Sequence, residues 1–249
     1  MSFAHGIGIV AVVAFMIVST WTSLRLLSVW SRTRQLPELL IGLGLLGTGP
    51  FGFGLSIVAE LMPSEGASAL VRLVGIVTVS LACLAFYGFT AQVFRPGATW
   101  ARLFTGMAAV VFAVLFGLSL QDHWTHGADR IDPYVLPRSI VLGIGWAWMG
   151  IECLRYWGLT RRRAALGLAD PVVANRFFLW GVVSIESVVN VTSSTALAIR
   201  DAGSVSEFSV LLGGVLGLIG SVALLLAFLP PARYTDWIRA RAQAASRSS

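Results

Sequence analysis

Long apolar stretches alternate with short polar segments along the chain, and this alternation predicts the architecture. A helix needs roughly 20 apolar residues to cross the hydrocarbon core of a bilayer. Seven stretches reach that length, at residues 5–27, 36–62, 67–93, 98–120, 137–159, 174–199 and 208–229. The pattern therefore predicts an all-α integral membrane protein in which residues 1–231 form a seven-transmembrane-helix bundle.

The second stretch carries a glycine-rich break near its centre. Residues 47–54 read GTGPFGFG, with Pro50 close to the midpoint of the apolar run. A proline inside a helix removes one backbone hydrogen bond and clashes with the carbonyl four residues earlier, here that of Leu46. In lipid such a break must be covered by neighbouring helices or a polar cavity. We expect an interrupted helix in the bundle, whose glycines serve close packing, a ligand site, or both.

Composition agrees with a membrane protein and excludes several kinds of site. Hydrophobic residues make up 56% of the chain and charged residues only 12%, whereas soluble domains carry about 25% charged residues. The lipid bilayer is therefore the expected partner, and nucleic acid is not, despite the net charge of +6. The chain contains no lysine, which excludes a retinal Schiff base, a pyridoxal site and a P-loop.

Arginine is concentrated at one set of span ends. Fourteen of the eighteen arginines lie at alternate ends of the predicted spans, and the other four lie at the opposite ends: Arg72, Arg130, Arg138 and Arg200. Cytoplasmic loops are enriched in arginine. We therefore expect the N-terminus outside, the C-terminus in the cytoplasm and an odd number of spans, in the cytoplasmic (inner) membrane of a bacterium.

The segment after the last span predicts a helix in the membrane interface. Tyr234, Trp237, Ile238 and Arg241 recur at helical spacing, so the aromatic and apolar side chains share one face. Residues 232–249 are expected to form a cytoplasmic interfacial helix followed by a disordered tail from residue 242.

The ends of the first and fifth spans resemble each other, as do the ends of the third and seventh. Leu-Arg recurs at 24–25 and 154–155, and Trp100 and Trp237 follow the other pair. One interpretation is a 3+1+3 arrangement of parallel triplets; the other is that cytoplasmic helix ends in general collect Arg and Trp. In shape the bundle is similar to microbial rhodopsins and to the small sugar carriers built from triple-helix bundles. It has neither the rhodopsin lysine nor the proline–glutamine pairs of some carrier relatives, so no family is assigned.

Two carboxyl groups lie at membrane depth, where ionisable residues are costly and usually functional. Glu186 lies near the middle of the sixth span, and Asn190 follows one turn later on the same face. We interpret Glu186 as a ligand counter-ion, a coupling-ion site or a proton relay; the alternative is a protonated carboxyl bonded to a neighbouring helix. Glu152, with Arg155 and Arg176 at similar depth, predicts an interhelical ion pair near the cytoplasmic face.

Four further residues are candidates for the same ligand pocket. Gly49 and Pro50 of the broken span would contribute free carbonyls at the depth of Glu186. Trp146 lies too deep to mark the interface, and Tyr87 lies in the inner half of the third span. Aromatic side chains there could wall a pocket for an apolar or cationic ligand. Plain core packing is the alternative for each of them.

All three histidines fall on the outer side of the predicted bundle. Asp122, His123, His126 and Asp129 form a run of potential metal ligands, with His5 on the same side. Two histidines three residues apart in an exposed loop are more typical of solvated residues, so no metal site is predicted. No histidine lies deep within a span, which argues against haem held between helices and against hydrolysis that needs a buried histidine.

Two functions fit this pattern. The first is a carrier that binds a small solute or ion between Glu186, Asn190 and the broken span. The second is a seven-helix sensor, receptor-like protein or partner subunit that acts on a separate cytoplasmic protein through its arginine-rich inner surface and C-terminal helix. No enzyme activity is expected, because no nucleophile–base pair is visible, and no cofactor is predicted.

Overall fold

The computed structural model describes residues 2–126, 132–200 and 206–247, apart from the side chains of residues 123, 126 and 245–247. Over these ranges the chain is helical and contains no strand. In chain order the helices are α1 (Phe3–Thr33), α2 (Leu36–Thr48), α3 (Gly54–Leu61), α4 (Glu65–Phe94), α5 (Thr99–His126), α6 (Val135–Ala165), α7 (Pro171–Arg200), α8 (Glu207–Phe228) and α9 (Ala232–Arg247). A π-helical segment, Gly49–Phe53, joins α2 to α3.

Six helical stretches in the described ranges are long and apolar enough to cross a bilayer. They are Phe3–Thr33, Leu36–Leu61, Glu65–Phe94, Thr99–Asp122, Pro171–Arg200 and Glu207–Phe228. The prediction of an all-helical, multi-pass membrane protein is confirmed. The remaining predicted span, residues 137–159, lies within α6, which has ample length at 31 residues but a lower hydropathy because of its charged and aromatic side chains. A seventh crossing therefore stays a prediction.

Successive long helices run in opposite directions. Along α7 and α8, Trp180 packs on Phe228 while Glu186 lies against Gly220, so the two helices are antiparallel. The same alternation holds for α1 with α2, α2 with α4, α5 with α6 and α6 with α7. One end of the bundle thus collects the C-terminal ends of α1, α4, α6 and α8 and the N-terminal ends of α2, α5 and α7. We call it the arginine-rich end.

The helices pack as a ring. In order around it, α1 contacts α2, α2 contacts α4, α4 contacts α6, α6 contacts α7, α7 contacts α8, and α8 returns to α1. The helix α5 packs outside this ring, against α4 and α6. The interior of the ring is therefore shared by six chain segments, while α5 is peripheral.

The interruption predicted in the second span is confirmed, and it takes the form of the π-helical segment Gly49–Phe53. A side chain at Gly49 would place its Cβ 2.0 Å from the Oγ of Ser19 on α1. Only glycine therefore allows α1 and this segment to approach so closely. Beside the break, Thr48 donates its Oγ1–H to the carbonyl of Gly44 at 2.9 Å, a side-chain bond to the preceding turn.

The C-terminal helix α9 packs on α7 and α6 at the arginine-rich end. Asn175 donates its Nδ2–H to the Tyr234 hydroxyl at 2.9 Å, and Arg239 lies 3.3 Å from Asp170. The helix continues to Arg247, so the expectation of a disordered tail is corrected for residues 242–247. Alanine and arginine, which dominate that stretch, are strong helix formers. Residues 248–249 lie outside the described ranges.

Candidate functional site

A cavity of about 360 Å³ lies inside the helix ring at its arginine-rich end. All six helices of the ring contribute lining residues, and most of these are apolar or aromatic, as in small-molecule sites generally. The lining consists of Thr22, Arg25, Leu26 and Val29 from α1, Glu38 and Ile41 from α2, Phe89 and Phe94 from α4, Cys153 from α6, Val173, Arg176, Phe177 and Trp180 from α7, and Ala227 and Phe228 from α8.

Three charged side chains line this cavity. Arg25 donates an Nη1–H to the backbone carbonyl of Phe228, the last residue of α8, at 2.8 Å. Glu38 lies in the first turn of α2, and Arg176 lies near the start of α7. With two guanidinium groups and one carboxylate, the lining favours a ligand that carries an anionic group.

Three polar atoms of the lining are buried, and they have no hydrogen-bond partner among the described residues. They are Thr22 Oγ1, Glu38 Oε2 and Trp180 Nε1. Leaving such an atom unpaired costs about 1–3 kcal/mol. A ligand that accepts from the Trp180 N–H and donates to Glu38 would remove that cost, so the cavity is chemically suited to binding.

Local sequence explains how these side chains reach one place. Thr22 and Arg25 are three residues apart on α1, and Arg176 and Trp180 are four apart on α7, so each pair shares a helix face. Sequence reasoning missed the site because arginines at span ends indicate topology first, and an acid in a first helical turn favours the helix dipole. The one available signal was the recurrence of a polar residue beside each terminal arginine.

Glu186 and Asn190 lie on the seam between α7 and α8 and do not line this cavity. Glu186 is half-buried, and a Cβ built on Gly220 would come within 2.6 Å of its Oε2. Its hydrogen-bond partner is the Ser187 hydroxyl, at 3.5 Å. A Cβ on Gly213 would similarly lie 3.7 Å from the Asn190 Oδ1. The missing side chains of two glycines on α8 therefore make room for both polar groups of α7.

The other predicted pocket residues serve packing in the structure. Gly49 and Pro50 belong to the π-helical segment packed on α1. Trp146 and Tyr87 fall in two separate hydrophobic clusters, and the Tyr87 hydroxyl donates to the carbonyl of Val141 at 2.8 Å. None of the four lines the cavity. A pocket that joins them to Glu186 is not the arrangement the helices adopt, because the four residues face different neighbours.

Glu152 forms an interhelical ion pair, but its main partner is Arg95. The Nε and Nη2 of Arg95, at the end of α4, both lie 2.6 Å from Glu152 Oε1. Arg155 lies 3.7 Å from the other carboxylate oxygen. Arg176, predicted to join this pair, lines the cavity instead. The correction has a simple cause: α4 lies beside α6 at this level, and Glu152 is turned towards it.

The predicted run of outer metal ligands falls mostly outside what the structure describes. Asp129 lies outside the described ranges, as do the side chains of His123 and His126. His5 Nδ1 lies 2.8 Å from the hydroxyl of Ser2. Among the described residues no group of three potential metal ligands occurs.

Comparison with protein-family models, with curated proteins and with solved structures finds no match to this chain. The functional argument therefore depends on the chemistry of the cavity and the seam.

Proposed function

We propose that this protein is a carrier-like membrane protein that binds a small solute or ion in the cavity at its arginine-rich end. The observation that carries the proposal is the position of buried, unpartnered polar atoms in a cavity to which every helix of the ring contributes. Glu186 and Asn190, on the α7–α8 seam, are proposed as the proton- or cation-binding groups of the same carrier. Along an α-helix Glu186 lies about 9 Å beyond Trp180 of the cavity lining.

The proposed topology has seven spans, with α6 crossing, the N-terminus outside and the arginine-rich end in the cytoplasm of a bacterial cell. The arginine distribution supports this orientation. The order of contacts around the ring supports the 3+1+3 arrangement: α1, α2–α3 and α4 form one half, and α6, α7 and α8 form the other. Each half contributes the two contacts, α1 with α8 and α4 with α6, that close the ring. A cavity between two such halves is where carriers place their solute.

A sensor or partner subunit is the second candidate. It is favoured by the attachment of α9 to α7, because Asn175, which bonds Tyr234 of α9, is adjacent to Arg176 of the cavity lining. A ligand at Arg176 would then alter the surface that a cytoplasmic partner protein meets. The two candidates differ in one measurable property: a carrier moves its ligand across the bilayer and a sensor does not.

The proposal is tested by ligand-dependent thermal stability of the purified protein in detergent micelles. The panel contains carboxylates, phosphates, amino acids, sugars and single-chain amphiphiles. A ligand that binds only the folded state raises the unfolding free energy by about 2.7 kcal/mol at a hundredfold excess over its Kd. We expect at least one compound to raise the Tm, and Trp180→Phe and Arg176→Gln to weaken that compound at least tenfold.

The matched control is Arg163→Gln, which removes an exposed arginine near the end of α6 and should leave binding unchanged. Equal stabilisation of wild type and both cavity variants would place binding elsewhere and contradict the proposal. Flux of the active compound into proteoliposomes then assigns it to a carrier, and binding without flux assigns it to a sensor.

A further inference from the structure

A second cavity, of about 520 Å³, adjoins the first on the outside of the bundle. Trp21, Leu24, Arg25 and Leu229 line it. Trp21 is 65% exposed and Leu24 is 58% exposed, so in a membrane both side chains would contact lipid. Arg25 lines both cavities. The interior of the ring is therefore separated from the bilayer, at this point, by one arginine side chain.

The position of Arg25 gives this boundary its chemistry. A guanidinium has five N–H donors in a planar fork, and the hydrogen bond from Arg25 to the Phe228 carbonyl uses one of its nitrogens. That bond ties α1 to the C-terminal end of α8 and points the charge at the junction of the two cavities. The remaining donors suit a carboxylate or phosphate, which arginine binds in a bidentate manner.

The inner cavity combines this charge with a large apolar wall. Leu26, Ile41, Phe89, Phe94, Phe177 and Phe228 supply aliphatic and aromatic surface. Arg176 supplies a second guanidinium within the same lining. A fully water-soluble ion would leave the aromatic wall unused, and a neutral hydrocarbon would leave both arginines and the Trp180 N–H unpaired.

We propose that the ligand is an anionic amphiphile, a molecule with a carboxylate or phosphate head and an apolar chain. It enters from the bilayer between α1 and the C-terminal end of α8. Its head binds Arg25 and Arg176, and its chain lies against the phenylalanines of the inner cavity. This inference rests on the proposed function, since it names the ligand class of the same site. A free fatty acid and a phospholipid share the required head chemistry.

The test is photo-crosslinking of the full chain in proteoliposomes that contain diazirine-labelled palmitic acid. We expect cross-linked peptides from residues 171–180 and 224–229, and at least a tenfold loss of these in the double variant Arg25→Gln, Arg176→Gln. The control Arg163→Gln should cross-link as wild type does. Unlabelled oleate or lysophosphatidate should compete, and which competes better identifies the source of the head group.

Three results would overturn the inference. Labelling spread over the lipid-facing sides of all helices, and unchanged in the double variant, would mean ordinary contact with surrounding lipid. Equal competition by zwitterionic lysophosphatidylcholine would remove the role of the anionic head. Competition by millimolar butyrate or inorganic phosphate as effective as that by oleate would indicate a water-soluble anion, in which case the cavity remains a binding site and only the amphiphile is wrong.

Discussion

Single side chains decide the chemistry at the arginine-rich end, and Asp170 is the clearest example outside the spans. Its Oδ1 accepts the backbone N–H of Val172 at 2.9 Å, at the start of α7, and Arg239 of α9 lies 3.3 Å from its Oδ2. The Val172 N–H is the main cause that lowers the pKa of Asp170, and Arg239 and Arg176 lower it further against a small opposing effect of burial. One carboxylate thus caps α7 and holds α9.

Asp170→Asn tests this at the residue scale. Because the pKa of Asp170 is lowered on folding, its charge stabilises the folded state above the unfolded value of about 3.9. That contribution is lost as the pH falls through the lowered folded value. We expect wild type to melt above the variant at pH 7 and the difference to shrink below pH 4, measured by thermal unfolding in micelles. A difference that stays constant down to pH 2.5 would contradict the assignment.

The predicted break in the second span shows what can be deduced for an element. Pro50 and its glycines were enough to locate the interruption, because a proline cannot continue an α-helix without losing a backbone bond. They could not show what the break is for. In the structure the segment lies against Ser19 of α1, so its glycines allow two helices to touch. Which neighbour meets a glycine is a property of the assembled bundle.

Gly49→Ala tests this contact between elements. The added methyl would overlap the Oγ of Ser19, 2.0 Å away, and its Cβ, 2.8 Å away, and overpacking of this kind typically costs about 1–3 kcal/mol. We expect a lower Tm for Gly49→Ala and partial recovery when Ser19→Gly is added, because that change removes both clashing atoms. Gly54→Ala is the control, since its nearest neighbour, the Met16 methyl, lies at 3.6 Å. Absence of recovery in the double variant would rule out this contact as the cause.

At the scale of the whole molecule, the ring of six helices with α5 outside it creates the interior that the cavity occupies. The cavity requires α1, α4, α6 and α8 to end at the same side, which depends on whether α6 crosses the bilayer. Charged side chains at both ends of α6 are satisfied within the protein: Arg138 pairs with Asp132, and Glu152 pairs with Arg95. Such pairing lets a helix of modest hydropathy lie within the bundle.

Cysteine accessibility tests the seventh crossing and the orientation together. Both native cysteines are buried, and replacing them with serine gives a background for Pro133→Cys and Arg163→Cys, on exposed residues flanking the predicted crossing. In intact cells a membrane-impermeant maleimide should label Pro133→Cys and should reach Arg163→Cys only after permeabilisation. Labelling of both from one side would mean that α6 does not cross, and labelling of Arg163→Cys alone would reverse the orientation.

The sequence by itself determined the membrane class, the helical fold, six of the spans and the position of the break, because hydropathy and backbone chemistry are local properties. It also identified Glu152 as an ion-pair residue. Only the tertiary structure decided that Arg95 is the main partner of Glu152, that Glu186 lies on the α7–α8 seam, and that Arg25, Glu38, Arg176 and Trp180 share one cavity. Those relations depend on which helices become neighbours and how each is rotated, and residues that meet there are more than a hundred positions apart in the chain.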